Sequence, residues 1–402
     1  MTEIGPVTCV GCALLCDDVV IERSGDDLRL QPRCDLGAEW LSERARRQGA
    51  PAATIEGRPA DVDAALAQTA ELLRRAQRPL VRGFTEATVE DARAAVALAD
   101  RLGALVATDG LHGTWPGAPA VPLRGASTAT LGEIRDRSRV VVIWREDPES
   151  THPRLLDRLG FGDGSNSRLG PNRTLVVVDD RDTATARRAD LHLPWPPERD
   201  LEALTGLQVL QRKLALRVGD FGSELGGLLD VLDAVPHVAF VHGAGLTAGE
   251  GGQRRALAMH ELVRELSHER HVVTLALPGA AGTRSAQDVL AWQTGYAENV
   301  DLASGHPELI VATESLPTDE GVDVSLCVEG DGDGLGEGVT QIALGSRLLG
   351  GVAVSIRTAA AGVAAPGTAH RLDGVPLALQ APLPDDAPTS AALLARLLEE
   401  LE

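Results

Sequence analysis

The chain has 402 residues, 44% apolar and 24% charged, enough to bury a large core and divide into two or three domains. Its formal net charge is -20, with acid spread along its length, which excludes a long phosphate backbone, and hence nucleic acid, as a partner. No stretch approaches the roughly 20 apolar residues that span a bilayer, and "MTEIGPVTCV" carries no basic segment before an apolar run, so the expected setting is the cytoplasm, without membrane contact. Aromatic residues make up only 2%, which leaves the core to Ala, Val, Leu and Ile.

In chain order the first signal is "CVGCALLCDDVVIE", which places Cys9, Cys12 and Cys16 on one short loop, and "PRCDLG" adds Cys34. In a reducing cytoplasm such a cluster points to metal or redox chemistry rather than to structural disulfides. Thiolates are soft ligands that suit both iron–sulfur clusters and zinc. Zinc sites usually arrange their ligands as two separated pairs, whereas three close Cys and a distant fourth resemble cluster binding. Residues 1–50 are read as a small Cys-cluster domain.

From about residue 50 strand-like and helix-like stretches alternate. "RPLVRG" (78–83) reads as a strand, "TVEDARAAVALADRLG" (88–103) has helical periodicity, and "ALVATDG" (104–110) is a strand again. "RVVVIW" (139–144), "TLVVVDD" (174–180), "HVAFVHG" (237–243) and "HVVTLALPG" (271–279) are continuous apolar runs, as in parallel strands buried on both faces. "LEALTGLQVLQRKLAL", "GGQRRALAMHELVRELS" and a tail helix capped by Thr389 or Ser390 complete an α/β pattern with mostly parallel sheets and helices on both sides. An α/β domain of 51–130 and 236–402 is expected to carry an inserted α/β domain at 131–235. "HGAGLTAGEGG" (242–252) follows a strand and opens a helix, but its glycines miss the GxGxxG spacing by one residue, which argues against plain dinucleotide binding. Lys213 is placed in a helix, which rules out a Walker A motif, and Cys327 in "VSLCVEG" reads as core.

Several segments together resemble the B-type subunit of formylmethanofuran dehydrogenase, including its relative in the bacterial formyltransferase/hydrolase complex. They are "CVGCALLCDDVVIE", "STATLGEIRDRSRVVVIWREDPESTHPR" (127–154), "VVVDDRDTATARRADLHLPWPPERDLE" (176–202), "VLAWQTGY" (289–296) and "GTAHRLDGVPLAL" (367–379). The resemblance implies Rossmann-like parallel sheets of the molybdopterin-oxidoreductase type. It also implies a 4Fe–4S cluster on Cys9, Cys12, Cys16 and Cys34, with zinc as the alternative. In active members, tungsten or molybdenum on two pterin dithiolenes interconverts carbon dioxide and formate, and a partner subunit joins formate to methanofuran.

The sequence departs from that pattern at two loops. In "DGLHGT" Leu111 stands where the family's metal-binding Cys would be, with His112 beside it, and in "LALPGAAGT" Pro278 stands where its Arg would be. Asp147, His152, Asp180 and Thr183 are then remnants of a cofactor-binding surface, and a tungsten or molybdenum pterin is not expected. The implied role is a structural subunit of a formyltransferase/hydrolase-type complex in tetrahydromethanopterin-linked one-carbon metabolism, where partner subunits handle the methanofuran-type carrier. The alternative is a catalytic formylmethanofuran dehydrogenase subunit.

Overall fold

A computed structural model describes residues 2–25, 27–45, 51–108, 120–162, 167–216, 219–310, 321–332, 335 and 338–401. By their internal contacts they form two units, Met1–Gly113 with Gly279–Glu402, and Thr114–Pro278.

The first unit opens with β1 (Thr2–Val7), β2 (Val19–Ser24) and β3 (Asp27–Gln31), an antiparallel sheet followed by α1 (Asp35–Ala45). The hairpin β4 (Ala53–Ile55) and β5 (Arg58–Ala60) leads into α2 (Val62–Arg75), β6 (Pro79–Gly83), α3 (Val89–Leu102) and β7 (Leu105–Ala107). Local chemistry sets these boundaries. Asp61 caps α2 by accepting the Ala64 N–H at 2.7 Å. Thr88 and Asp91 form a reciprocal capping box at the start of α3, and Gly103 ends it at φ 60°, a left-handed conformation that glycine adopts without strain.

The second unit contains α4 (Ala120–Arg124), α5 (Leu131–Arg137), β8 (Val140–Trp144), α6 (Pro148–Thr151), α7 (Leu155–Arg158), β9 (Thr174–Val178) and β10 (Leu191–Leu193). It continues with α8 (Asp200–Gln211), α9 (Phe221–Asp233), β11 (His237–His242), α10 (Ala244–Thr247), α11 (Gly252–Leu266) and β12 (His271–Ala276). Among the described residues its sheet has the order β10-β9-β8-β11-β12 and is parallel throughout. Val140, Val142, Trp144, Val176, Val238 and Phe240 share a core with apolar residues of α8, α9 and α11. Each such buried side chain contributes about 1.5–3 kcal/mol relative to leaving it in water.

The first unit resumes with α12 (Thr283–Thr294), β13 (Val300–Asp301), β14 (Glu308–Leu309), β15 (Val324–Val328), β16 (Thr340–Gly345) and β17 (Val354–Arg357). A hairpin of β18 (Gly367–His370) and β19 (Pro376–Leu379) precedes α13 (Ser390–Leu401). Its large sheet runs β14-β13-β7-β6-β15-β16-β17-β4-β5, parallel from β7 to β17 and antiparallel at both edges. Val81, Val106, Leu326 and Ile356 face the helices α2, α3, α12 and α13. Cys327 is buried in β15 as expected.

Three expectations change. The inserted unit runs from Thr114 to Pro278 rather than over 131–235, because β11 pairs with β8 and β12 with β11, which draws the following residues into the same sheet. Residues 1–50 group with the first unit rather than standing apart as a Cys-cluster domain. The Thr8 N–H donates to Gln380 Oε1 at 2.8 Å, its hydroxyl donates to the Ala378 carbonyl at 3.0 Å, and the Leu372 N–H donates to the Ala13 carbonyl at 3.0 Å. Lys213 lies beyond the end of α8, at φ 59°, rather than inside a helix.

Candidate functional site

The cysteine loop is built by tight backbone turns. The Cys9 N–H donates to the Cys16 carbonyl at 2.9 Å, and the Leu15 N–H to the Cys12 carbonyl at 3.2 Å. Cys34 sits at the entry to α1, where its carbonyl accepts the Ala38 N–H at 2.9 Å. Two glycines make the packing possible. A Cβ on Gly11 would lie 2.8 Å from Gly37 Cα, and one on Gly37 would lie 2.9 Å from Cys9 Sγ and 3.8 Å from Cys34 Sγ. The loop rests on the β18–β19 hairpin, where Val10 and Leu15 share an apolar cluster with Ala369 and Leu379.

None of the cysteines is in a disulfide. The Cys12 thiol is pushed up to about 12, chiefly by burial, with the neighbouring Cys9, Cys16 and Cys34 adding to it against the Leu14 N–H. Burial works against the charge of Arg371, yet Asp373, Asp17 and Cys16 together hold its guanidinium more firmly protonated. The Gly11 N–H also points at Cys9 Sγ, at 3.4 Å. Four thiols, an N–H aimed at sulfur and a nearby guanidinium suit a soft, thiolate-bound metal group. Among the described residues, no three His, Cys, Asp or Glu side chains form a ready ligand set for a metal ion.

The other predicted residues lie on the C-terminal rim of the second unit's sheet; Leu111 and His112 fall outside the described residues. β8 ends at Trp144 and the chain turns at Arg145, whose φ of 55° is left-handed. The buried Arg145 guanidinium bonds Asp200, the Trp195 carbonyl at 2.6 Å and Asp180 at 3.2 Å, while Trp144 Nε1 donates to Asp200 at 3.0 Å. Asp180 is therefore a rim partner of Arg145. Asp147 accepts from the Thr185 N–H at 3.0 Å, the Thr185 hydroxyl at 2.5 Å and the Ser150 hydroxyl at 2.7 Å. Burial raises its affinity for a proton, but these donors outweigh it and hold the carboxyl below its usual range. Thr183 Oγ1 accepts the Ala186 N–H at 3.0 Å.

His152 is buried, and burial pulls it down to about 4, so it is neutral near pH 7. Its Nε2 meets the Pro278 carbonyl at 3.1 Å and its Nδ1 meets Thr151 Oγ1 at 3.0 Å. A carbonyl only accepts, so Nε2 carries the proton and Nδ1 is left as an acceptor facing the Thr151 hydroxyl. That hydroxyl is also 2.9 Å from Glu146 Oε1, whose carboxyl burial pushes up. Thr151 has one proton, which either Glu146 Oε1 or His152 Nδ1 can take.

Sequence reasoning missed Glu146, Arg145, Asp200 and Glu329. The first two follow the apolar run "RVVVIW", and charge at the C-terminal end of a parallel strand is a usable signal for a site. Asp200 had none. Glu329, just past β15, is buried and pushed up to about 7, mainly by desolvation and then by the Asp91 carboxyl. It accepts hydrogen bonds from the Thr358 and Ser390 hydroxyls at 2.6 and 2.7 Å and from the Ser346 N–H at 3.1 Å.

Comparison with known proteins follows the sequence motifs. No family model matches the chain. It is 27% identical to the B-type subunit of tungsten-containing formylmethanofuran dehydrogenase 2 from Methanocaldococcus jannaschii, over 93% of this chain and 92% of that protein. It is 26% identical to the B-type subunit of the formyltransferase/hydrolase complex Fhc from Methylorubrum extorquens, over 64% of this chain and 68% of that one. Among solved structures, a chain of the M. extorquens formyltransferase/hydrolase complex FhcABCD with methylofuran shares the fold, with a TM-score of 0.71 and 22% identity over 87% of this chain and 98% of that one. Acetylene hydratase from Pelobacter acetylenicus matches more loosely, with a TM-score of 0.54 and 11% identity over 98% of this chain and 69% of that one. The resemblance drawn from the motifs is borne out by relatives that carry those names.

Proposed function

We propose that this chain, a homologue of the B-type subunit of formylmethanofuran dehydrogenase, is the corresponding structural subunit of a formyltransferase/hydrolase-like complex in one-carbon metabolism. Partner subunits carry out formyl transfer and hydrolysis on a methanofuran-type carrier, and this chain supplies the fold they assemble on, in the cytoplasm. Among the described residues no helix is long and apolar enough to cross a membrane.

One observation carries this reading: Pro278, where the resemblance expects an arginine, has no side-chain donor, and its carbonyl is tied to a neutral His152. A tungsten or molybdenum pterin fits poorly on such a surface, since Asp147, His152, Asp180 and Thr183 each bond to neighbouring residues. The four cysteines fit a soft metal group better, and we assign them a 4Fe–4S cluster, with zinc as the alternative. Cys9, Cys12, Cys16 and Cys34 would hold it, and there it would tie the N-terminal loop to the rest of the unit. A second reading, a catalytic dehydrogenase subunit, draws its support from the same cysteines, because a cluster beside an active site delivers electrons.

The test is affinity purification of the tagged chain from its native cells. Partners resembling formyltransferase and amidohydrolase subunits should co-purify in fixed ratio, with formyl-hydrolysing activity that survives Pro278→Ala. A chain that purifies alone as a monomer would sink the proposal.

A further inference from the structure

In the second unit the chain passes from β8 to β9 and β10 on one side, then returns to place β11 and β12 on the other, so the strand order reverses between β8 and β11. In open parallel α/β sheets, ligands dock beyond the C-terminal strand ends at such a reversal. Here the residues at that place are Arg145, Glu146 and Asp147 after β8, and Gly243, Ala244 and Gly245 after β11.

The two turns touch. A methyl on Gly243 would overlap Glu146 Oε2, and one on Gly245 would lie 2.5 Å from the Arg145 carbonyl oxygen. The glycines thus make room for the opposite turn and its carboxyl group. Glu146 Oε1 is fastened there by the Thr151 hydroxyl at 2.9 Å and the Asp147 N–H at 3.1 Å. These polar groups would otherwise be available to an incoming anion.

We propose that Glu146 fills the seat a phosphate would take at the β8–β11 reversal, and is the residue by which this unit rejects phosphorylated nucleotides. This deepens the preceding reading, on which it rests, by naming what closes the cofactor surface. Occupancy, rather than charge alone, does the excluding, because the carboxyl group stands in the volume above Gly243. Neutralising the side chain without shortening it therefore leaves the seat closed.

The test compares the wild-type complex with Glu146→Gly and Glu146→Gln by isothermal titration with guanosine diphosphate and with inorganic pyrophosphate. Glu146→Gly should bind the diphosphate at least about tenfold more tightly than wild type, a difference the titration resolves. Glu146→Gln should behave as wild type. Equal gains in both variants would overturn occupancy as the cause. No gain in Glu146→Gly, with melting temperature and complex assembly intact, would overturn the proposal while leaving the structural-subunit reading untouched. Tight nucleotide binding by the wild type would instead overturn that reading as well.

Discussion

His152 Nε2 and the Pro278 carbonyl oxygen lie 3.1 Å apart, so a buried neutral imidazole spends its proton on the backbone of the residue that stands where an arginine was expected. The two positions, far apart in sequence, hold each other in a closed arrangement in which neither offers a side-chain donor to a substrate.

The first expectation concerns this contact. His152→Ala removes the donor and leaves a buried carbonyl unpaired, a loss of about 1–3 kcal/mol. Urea denaturation of the purified chain should record it, while formyl-hydrolysing activity of the assembled complex should be unchanged. Loss of activity at unchanged stability would mean that His152 acts on substrate.

The buried Arg145–Asp200 pair gives a larger effect. Asp200→Ala leaves a guanidinium that is only 4% exposed with only Asp180 and the Trp195 carbonyl of its described partners, and removes the acceptor of Trp144 Nε1. Breaking one partner of a buried ion pair costs about 3–5 kcal/mol. The same denaturation experiment should therefore show it as more damaging than His152→Ala. A smaller effect would mean that Asp180 and water compensate.

Buried histidines and a buried glutamate set opposing pH slopes of stability on the acid side of neutrality. His152 and His242 are lowered by burial to about 4 and about 3, so below 6.5 the unfolded chain binds protons that the folded chain does not. Stability is then complete above 6.5 and lost as pH falls, at up to about 1.4 kcal/mol per pH unit for each histidine. Glu329 has the opposite sign. Its folded value is raised from 4.5 to about 7, so its contribution is complete below 4.5 and is lost as pH rises from there to about 7. Thermal melts between pH 4.5 and about 7 should show His242→Leu weakening the rise of stability with pH and Glu329→Gln steepening it.

On the ligation proposed above, the cysteine loop depends on a bound metal for its stability. Cys12→Ser removes one of four thiols and should lower both iron content and melting temperature, because ligation contributes folding energy directly. An unchanged melting temperature after loss of iron would mean that the hairpin contacts alone fix the loop.

How much of this could be read beforehand varied with the physics. Apolar runs such as "RVVVIW" and "HVAFVHG" announced parallel strands because both faces are buried, and Thr88 announced the start of a helix because its side chain caps it. The border of the inserted unit was not legible, because strand pairing between β8 and β11 joins segments nearly 100 residues apart and leaves no local mark. The cysteine spacing and the proline at position 278 could be seen in the sequence. That His152 caps Pro278, and that Glu146 stands over Gly243, are long-range contacts which only the folded chain reveals.

The central claim is that this subunit keeps its cysteine-bound metal but not a tungsten or molybdenum site of its own. Inductively coupled plasma mass spectrometry on the anaerobically purified native complex tests it most directly, by counting iron, zinc, tungsten and molybdenum per chain. Iron, or zinc in its place, without tungsten or molybdenum is the expected result. Near-stoichiometric tungsten or molybdenum would contradict the account and place redox catalysis on this chain.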